Sequence, residues 1–239
     1  MRYLVSSWTR VGSTWVTEAL KHLLSREVVF IDSERSLLDR FDNDEFAQFS
    51  EHTLMKTHAY SVLDLISCVN KFNDLKVISI TRNFKDAFVS RCLYERNVRF
   101  GVNPVSQAVQ TILTEYPNIT DKAFINLIVE IDPEYVELCV IEWAIHNAKV
   151  IDANIVQLNY DLIVSSDTLI DRLLKHISSD KSKIDLAREK TKLQVMQKNR
   201  PKHFVRKGLI GDWINYLDEP TSDKIDSLIL KHTNESKIT

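Results

Sequence analysis

The chain has 239 residues, 44% of them hydrophobic, which is enough to bury one sizeable core without a metal or a disulfide framework. Its formal net charge of −2 gives no overall attraction to nucleic acid or anionic membranes, so any anion site has to be built from local basic clusters. The three cysteines lie far apart among apolar neighbours, as reduced thiols do, and the apolar run Tyr3–Val5 is too short for a signal peptide. Since no apolar run reaches about 18 residues, we expect a soluble, cytoplasmic protein without a membrane span.

Short apolar strands alternate with helices along the chain. In chain order, the sequence predicts a strand at Tyr3–Val5, a helix at Thr14–Arg26, a strand at Thr53–Thr57, a helix at Ser61–Lys71, a strand at Lys76–Thr81, a helix at Phe84–Asn97, a strand at Asn154–Asn159 and helices near Asp167–Ser178 and Lys183–Lys190. Residues 91–153 are predicted to be mostly helical, and Asp132-Pro133 marks a helix start there. The alternation predicts an α/β fold, with a central, mostly parallel sheet flanked by helices in a single domain over residues 1–239.

A loop with several potential anion ligands follows the first predicted strand. It reads W-T-R-V-G-S-T-W over residues 8–15 and leads into a helix. Free N–H groups at the helix start, a glycine that allows close approach, two hydroxyls and one cation together predict a phosphate-binding loop. The GxxxxGK[ST] spacing of a Walker A loop is absent. Taken alone, the segment also fits an ordinary N-capping turn.

Three further segments combine cations with a histidine, a serine or glycines. They are K-T-H at 56–58, R-N-F-K-D-A-F-V-S at 82–90 and F-V-R-K-G-L-I-G-D-W at 204–213. Each has an ordinary interpretation when taken singly, because a strand-end histidine is more often structural than catalytic, and two adjacent cations in a loop are usually solvated. At the helix start after Arg82, we expect Lys85 and Asp86 to be solvated.

Taken in order, the four segments resemble the signatures of the cytosolic-type sulfotransferases that use 3′-phosphoadenosine 5′-phosphosulfate (PAPS). The family patterns are Y-P-K-x-G-[ST]-[ST]-W, K-T-H, R-[ND]-P-[KR]-D-x-x-x-S and R-K-G-x-x-G-D-W. The segment N-Y-D-L at 159–162 likewise resembles the family's Y-E-D-L. Arg10 replaces the family's lysine, and Phe84 replaces its proline. The resemblance covers nearly the whole chain and implies a bacterial-type, small-molecule member with a nucleotide-kinase-like phosphate loop.

The resemblance also implies a set of functional residues. His58 is implied as the general base, with Arg10 and Lys56 as further catalytic residues that stabilise charge on the transferred group. Binding of PAPS, and of its product 3′-phosphoadenosine 5′-phosphate (PAP), is implied for Arg10, Val11, Gly12, Ser13, Thr14, Trp15, Arg82, Ser90, Tyr160, Phe204, Arg206, Lys207 and Gly208. No metal is implied, and His58, His146, His176 and His203 lie too far apart in sequence to suggest a ligand cluster.

The function expected from these residues is transfer of a sulfuryl group from PAPS to a hydroxyl or amine of a small molecule. A nucleotide-kinase-like phosphotransferase and a non-catalytic PAP- or PAPS-binding protein are the alternatives, and the missing Walker lysine counts against the first. No nucleic-acid or membrane partner is expected, and monomer and dimer both remain open.

The charge of the acceptor has two interpretations. Between Asp121 and Ile145 six acidic residues face one basic residue, which favours a cationic acceptor if they line an acceptor-side region. Helix capping and solvation are the other interpretation of these carboxylates.

Overall fold

The computed structural model describes residues 1–31, 53–58, 62–99, 107–149, 152–165, 167–199 and 209–235. In chain order the elements are β1 (Arg2–Ser7), α1 (Ser13–Leu24), β2 (Glu27–Ile31), β3 (Thr53–His58), α2 (Val62–Lys71), β4 (Leu75–Thr81), α3 (Phe84–Tyr94), a π-helical segment (Glu95–Arg99), α4 (Gln107–Glu115), α5 (Asp121–Ile131), α6 (Pro133–Asn147), β5 (Ile155–Asn159), α7 (Tyr160–Ser165), α8 (Asp167–Ile177), α9 (Lys181–Thr191), α10 (Leu193–Asn199), a 3-10 helix (Asp212–Asn215) and α11 (Glu219–Glu235). They belong to two compact units, one formed by Met1–Arg82 with His146–Arg200 and the other by Asn83–Ile145 with Pro201–Thr239.

A five-stranded sheet forms the centre of the first unit. Its order is β2-β3-β1-β4-β5, and all four pairings are parallel. Parallel strands need crossover connections, and described helices lie between β1 and β2, between β3 and β4, and between β4 and β5. The predicted α/β class, a parallel sheet flanked by helices, is therefore confirmed.

Both faces of the central strands are buried, as their continuous apolar sequences require. Leu4 and Val5, which point to opposite faces of β1, are both fully buried. The face that carries Leu4 packs against α2 in a cluster made of Leu4, Ile31, Met55, Leu65, Cys68, Val69, Leu75, Val77 and Ile155.

The strand register brings polar residues together at the carboxyl edge of the sheet. Ser7 at the end of β1 is opposite His58 at the end of β3 and opposite Ile80 near the end of β4. Arg82 follows β4 directly. Open α/β sheets bind ligands beyond this edge, so the fold itself positions several of the residues singled out by sequence.

The second unit is helical apart from its loops in the part that the structure describes. Two of its helices begin at a residue whose side chain caps the first turn. Asn83 Oδ1 accepts a hydrogen bond from Asp86 N at 3.3 Å, and Asp132 Oδ1 accepts one from Tyr135 N at 3.1 Å. The predicted helix start at Asp132-Pro133 is thus present.

Phe84, which stands where the family pattern has proline, packs into the core of the second unit. It is 1% exposed and stacks on Phe88 with ring centroids 5.5 Å apart. It also contacts Trp143 edge-on at 5.6 Å. The substitution therefore loses a favoured first-turn residue but gains aromatic packing.

The remaining features concern the cysteines, the hydropathy of the helices and the domain organisation. Cys68, Cys92 and Cys139 are buried free thiols. Among the helices that the structure describes, none has the length and apolar character needed to cross a bilayer. The expectation of one sulfotransferase domain with an acceptor-side region at 91–153 stays a prediction.

Candidate functional site

The loop between β1 and α1 has an unusual backbone at two positions. Arg10 and Gly12 have φ angles of 64° and 95°, both in the left-handed region. A non-glycine residue held there costs roughly 1–2 kcal/mol, so the surrounding contacts must hold Arg10 in place. Gly12 O accepts hydrogen bonds from Trp15 N and Val16 N, which begins α1. The sequence prediction of a loop that leads into a helix is correct.

Gly12 also lies against an aromatic ring from another part of the first unit. A Cβ atom added at Gly12 would lie 2.2 Å from Cδ2 of Tyr160, far inside van der Waals contact. Tyr160 begins α7, directly after β5, and is only 9% exposed. Glycine is therefore required here by both the backbone torsion and the close approach of Tyr160.

The loop carries hydroxyl groups suited to an anion. Lys56 Nζ donates to Thr14 Oγ1 at 3.1 Å, which brings the K-T-H segment to the start of α1. Ser13 is 3% exposed and Val11 is fully buried. The buried Oγ1 of Thr9 has no hydrogen-bond partner among the described residues. An anion oxygen would accept the hydrogen bond that this hydroxyl can donate.

Arg82 joins three parts of the first unit. Its Nη1 donates to the main-chain oxygen of Arg10 at 3.2 Å, and its Cζ lies 4.4 Å from the centroid of the Tyr160 ring. Its Nε lies 3.9 Å from Oδ1 of Asp161. The predicted residues Arg10, Arg82 and Tyr160 therefore lie together, with a carboxylate beside the guanidinium.

Trp15 is fixed by two contacts. Its ring meets Tyr160 edge-on, with centroids 6.2 Å apart and planes at 80°. Its Nε1 donates to the main-chain oxygen of Thr191, at the end of α9, at 2.8 Å. The structure thus brings Trp15 and Tyr160 together, while their implied role in binding the nucleotide stays a prediction.

His58 is held from two sides at the carboxyl edge of the sheet. Its Nδ1 lies 3.2 Å from Oγ and 3.3 Å from the main-chain oxygen of Ser7. On the other side, its ring centroid is 5.5 Å from that of Phe30, an exposed residue of β2. The imidazole is therefore oriented by β1 and β2 together.

The surroundings of His58 disfavour its protonated form. The pKa of His58 is lowered from 6.5 to about 4, first by burial and then by the positive charges of Lys56 and Arg10, with a further contribution from His146. An unperturbed histidine has a pKa near 6.5, so this lower value is a finding of the structure. At neutral pH the imidazole is uncharged and can accept a proton.

Two charged residues of the segment at 82–90, Lys85 and Asp86, are buried in the second unit. The expectation that Lys85 and Asp86 are solvated is wrong, because they are 6% and 1% exposed. Asp86 accepts hydrogen bonds from the main-chain N–H groups of Gly211 at 2.8 Å and Trp213 at 3.1 Å. Two parts of the sequence signature, K-D and G-D-W, are thus bonded to each other.

Lys85 has partners of its own in this unit. Its Nζ donates to Ser222 Oγ at 2.7 Å and to Asp226 Oδ2 at 2.6 Å, and it lies 4.3 Å from the centroid of the Trp213 ring. A buried ammonium is tolerated only when it is paired in this way. Lys85 and Asp86 therefore anchor α11 and the G-D-W segment to α3.

The remaining predicted nucleotide ligands divide into two groups. Ser90 is described, lies within α3 and is 7% exposed. Phe204, Arg206, Lys207 and Gly208 lie outside the described residues. Their implied roles stay predictions, as does the role of Ser90.

Several residues of the site were not found by sequence reasoning. Ser7, Phe30 and Thr191 contact predicted site residues, and Thr9 contributes a buried hydroxyl to the loop. The end of β1 was the available signal for Ser7, because strand ends of a parallel sheet meet at one edge. No local pattern marks Thr191, which reaches Trp15 only through the packing of α9 against α1.

Comparison with known proteins decides the family. A family model for the sulfotransferase domain matches residues 2–130 and 159–237. The chain belongs to the sulfotransferase family. The comparison of this sulfotransferase with curated proteins found no match.

Two solved structures share the fold of this sulfotransferase. Mouse sulfotransferase SULT7A1 complexed with PAP has 22% sequence identity and a TM-score of 0.64, covering 99% of this chain and 85% of that chain. Retinol dehydratase in complex with androsterone and inactive cofactor PAP has 17% identity and a TM-score of 0.60, covering 97% and 81%. The family match confirms the expected sulfotransferase family, and the two structures confirm its fold.

Proposed function

We propose that this sulfotransferase moves a sulfuryl group from PAPS to a hydroxyl or amine of a small molecule, with His58 as the general base. The observation that supports the proposal is the neutral imidazole of His58. The ring is close enough to Lys56 and Arg10 for their charges to lower its pKa, and Lys56 contacts Thr14 next to the loop between β1 and α1, which we call the Gly12 loop. A proton acceptor next to cations and hydroxyls has the composition that group transfer from an anionic donor requires.

The residues of the first unit fit the donor. The Gly12 loop offers main-chain N–H groups at the start of α1, the hydroxyls of Thr9 and Thr14 and the cations Arg10 and Lys56. Arg82 would hold a second phosphate, and Trp15 with Tyr160 would contact the adenosine. The resemblance also implies Ser90, Phe204, Arg206, Lys207 and Gly208 as ligands of the donor. Both solved relatives are complexes with PAP, which supports PAPS as donor and PAP as product.

The chemistry follows from the charges of these side chains. When bound, PAPS supplies an activated sulfuryl group. His58 takes the proton of the acceptor as the acceptor becomes nucleophilic. Lys56 and Arg10 stabilise negative charge that develops during transfer, which is usually the largest catalytic contribution. Arg10 supplies charge and a two-pronged grip but no proton, since a guanidinium keeps its protons. We expect no metal in this reaction.

The acceptor side is proposed from charge alone. Four of the six acidic residues between Asp121 and Ile145 already have partners in the second unit: Asp121 with Arg96, Asp132 with Tyr135 N, Glu137 with Lys231 and His232, and Glu142 with Arg91. These contacts favour a structural role for those carboxylates. The proposal of a cationic acceptor therefore depends on Glu130 and Glu134. It is tested by comparing acceptors of opposite charge.

The decisive experiment is a sulfuryl-transfer assay with ³⁵S-labelled PAPS. Tyramine and 4-hydroxyphenylacetate serve as matched phenols of opposite charge, and an aromatic amine tests nitrogen as the acceptor. We expect labelled product from the parent protein and a loss of at least about 100-fold in kcat for His58→Ala, within the range that general bases contribute. Faster turnover of tyramine would support a cationic acceptor, and equal turnover would remove the charge argument.

Calorimetric titration with PAP, run in parallel, separates the alternatives. PAP binding by both parent and His58→Ala, with no transfer by either, would favour a non-catalytic PAP-binding protein. Phosphate transfer from ATP in place of sulfuryl transfer would favour the kinase-like alternative. His176→Ala is the matched control, because it removes an exposed histidine of α8. We expect it to leave both binding and transfer unchanged.

A further inference from the structure

Ser7 contacts the imidazole of His58 with two oxygen atoms. Both its hydroxyl Oγ and its main-chain oxygen lie within hydrogen-bond distance of Nδ1, at 3.2 Å and 3.3 Å. Ser7 is the last residue of β1, is opposite His58 in the parallel register and is fully buried. The contact is therefore set by the sheet itself rather than by a surface loop.

The two oxygen atoms make different demands on the ring. A main-chain oxygen can only accept, so its bond to Nδ1 requires a proton on Nδ1. A hydroxyl can also accept from that proton, or it can donate to an unprotonated Nδ1. When Nδ1 carries the proton, the free lone pair is on Nε2. When the hydroxyl donates to an unprotonated Nδ1, Nε2 carries the proton and cannot act as a base.

We propose that Ser7 is a positioning residue that fixes His58 in the tautomer with its proton on Nδ1, so that Nε2 is the atom that accepts the acceptor's proton. The main-chain oxygen selects the tautomer, and the hydroxyl acts as a second acceptor that holds the ring plane. This inference rests on the proposed function for the role of Nε2, whereas the tautomer itself does not depend on turnover.

The arrangement suits the proton transfer. The O–H or N–H bond of the acceptor breaks, and the lone pair of Nε2 forms the new N–H bond. The resulting imidazolium still donates from Nδ1 to Ser7, so this hydrogen bond strengthens without rearrangement. Among the residues that the structure describes, the other groups that act on the ring are the cations Lys56 and Arg10, His146 and the Phe30 ring. Since none of them is a carboxylate, Ser7 provides the acceptor that orients this imidazole.

The tautomer can be observed directly by NMR. We would record two-bond ¹H–¹⁵N correlations of the imidazole side chains of the full-length ¹⁵N-labelled protein at pH 7. The His58 signals are assigned by their loss in His58→Asn. We expect the correlation pattern of a ring protonated at Nδ1, and a ring protonated at Nε2 would overturn the inference. The result needs no turnover, so it stands apart from the success or failure of the sulfuryl-transfer assay.

The hydroxyl is tested by a pair of variants and a control. Ser7→Ala removes the second acceptor and keeps the main-chain oxygen, while Ser7→Thr keeps both. Ser6→Ala is the matched control, since Ser6 is an equally buried serine on the opposite face of β1 and its Oγ has no hydrogen-bond partner among the described residues.

We expect kcat to fall about threefold to tenfold in Ser7→Ala, the range of one neutral hydrogen bond. The KM for PAPS should stay within about twofold, and Ser7→Thr should restore kcat. An unchanged kcat in Ser7→Ala, or an equal fall in Ser6→Ala, would overturn the role of the hydroxyl. If Ser7→Ala does not fold, the tautomer of the parent protein still decides the inference.

Discussion

The lowered pKa of His58 predicts a specific dependence of stability on pH. Above pH 6.5 this histidine is neutral in both the folded and the unfolded chain. As the pH falls below 6.5, the unfolded chain takes up a proton while the folded chain stays neutral down to about pH 4. Because the unfolded state then binds more protons, acidification through this window favours unfolding. The stability contribution of the neutral ring is complete above pH 6.5 and is lost by about pH 4.

The size of the effect follows from the shift. A displacement from 6.5 to about 4 corresponds to about 3 kcal/mol over the whole window. Between pH 7 and pH 5, where the fold is easier to study, linkage gives about 2 kcal/mol. Both figures are upper values, since the ring is not fully buried and solvent screens part of the interaction.

The test compares His58→Asn with the parent protein in urea unfolding at pH 7, 6 and 5. Asparagine keeps an N–H near Ser7 but does not titrate. We expect the free energy of unfolding of the parent to fall by about 2 kcal/mol more than that of the variant between pH 7 and pH 5. His176→Asn, an exposed histidine, is the control for loss of one imidazole. Parallel curves for the parent and His58→Asn would refute the assignment of a low pKa to this ring.

Two further substitutions test the contacts that hold the site. Gly12→Ala should lower the free energy of unfolding by about 3 kcal/mol or more and Tm by about 6–12 °C, because it combines a positive φ with overlap on Tyr160. The loss should be smaller in a Tyr160→Ala background, and an equal loss there would contradict this reason. Asp86→Asn keeps one acceptor but turns an amide toward a main-chain N–H group, so we expect about 2 kcal/mol of destabilisation in urea unfolding. The exposed Asp223→Asn is its control, and equal stability of the two variants would contradict the prediction.

The sequence predicted four of the five strands of the described sheet. β1, β3, β4 and β5 were found to within a few residues, because each has at least two buried apolar residues within its span. β2 was missed. Its E-V-V-F-I sequence lies at the edge of the sheet, where only Ile31 is buried, and it follows α1 after a two-residue link. An edge strand gains most of its definition from pairing with β3, and sequence periodicity does not report that pairing.

In the candidate site, too, local features were predictable from the sequence and long-range contacts were not. The loop at 8–15 was predictable because glycine, hydroxyls and a cation at a strand-to-helix turn have a local physical meaning. The burial of Lys85 and Asp86 was not, since their partners in the G-D-W segment and α11 are more than 120 residues away in sequence. Charged residues at a helix start look solvated until the segment that covers them is known.

The same cations give the site two properties that oppose each other. Lys56 and Arg10 favour an anion at the Gly12 loop, and they also weaken His58 as a base by lowering its pKa. An anionic donor bound at the loop would neutralise these two contributions and leave burial as the main cause of the shift. The basicity of His58 would then increase when the donor is bound. Under the proposed function, the ring would stay uncharged in the free enzyme and would not repel Lys56 and Arg10. It would become a stronger base once the donor is bound.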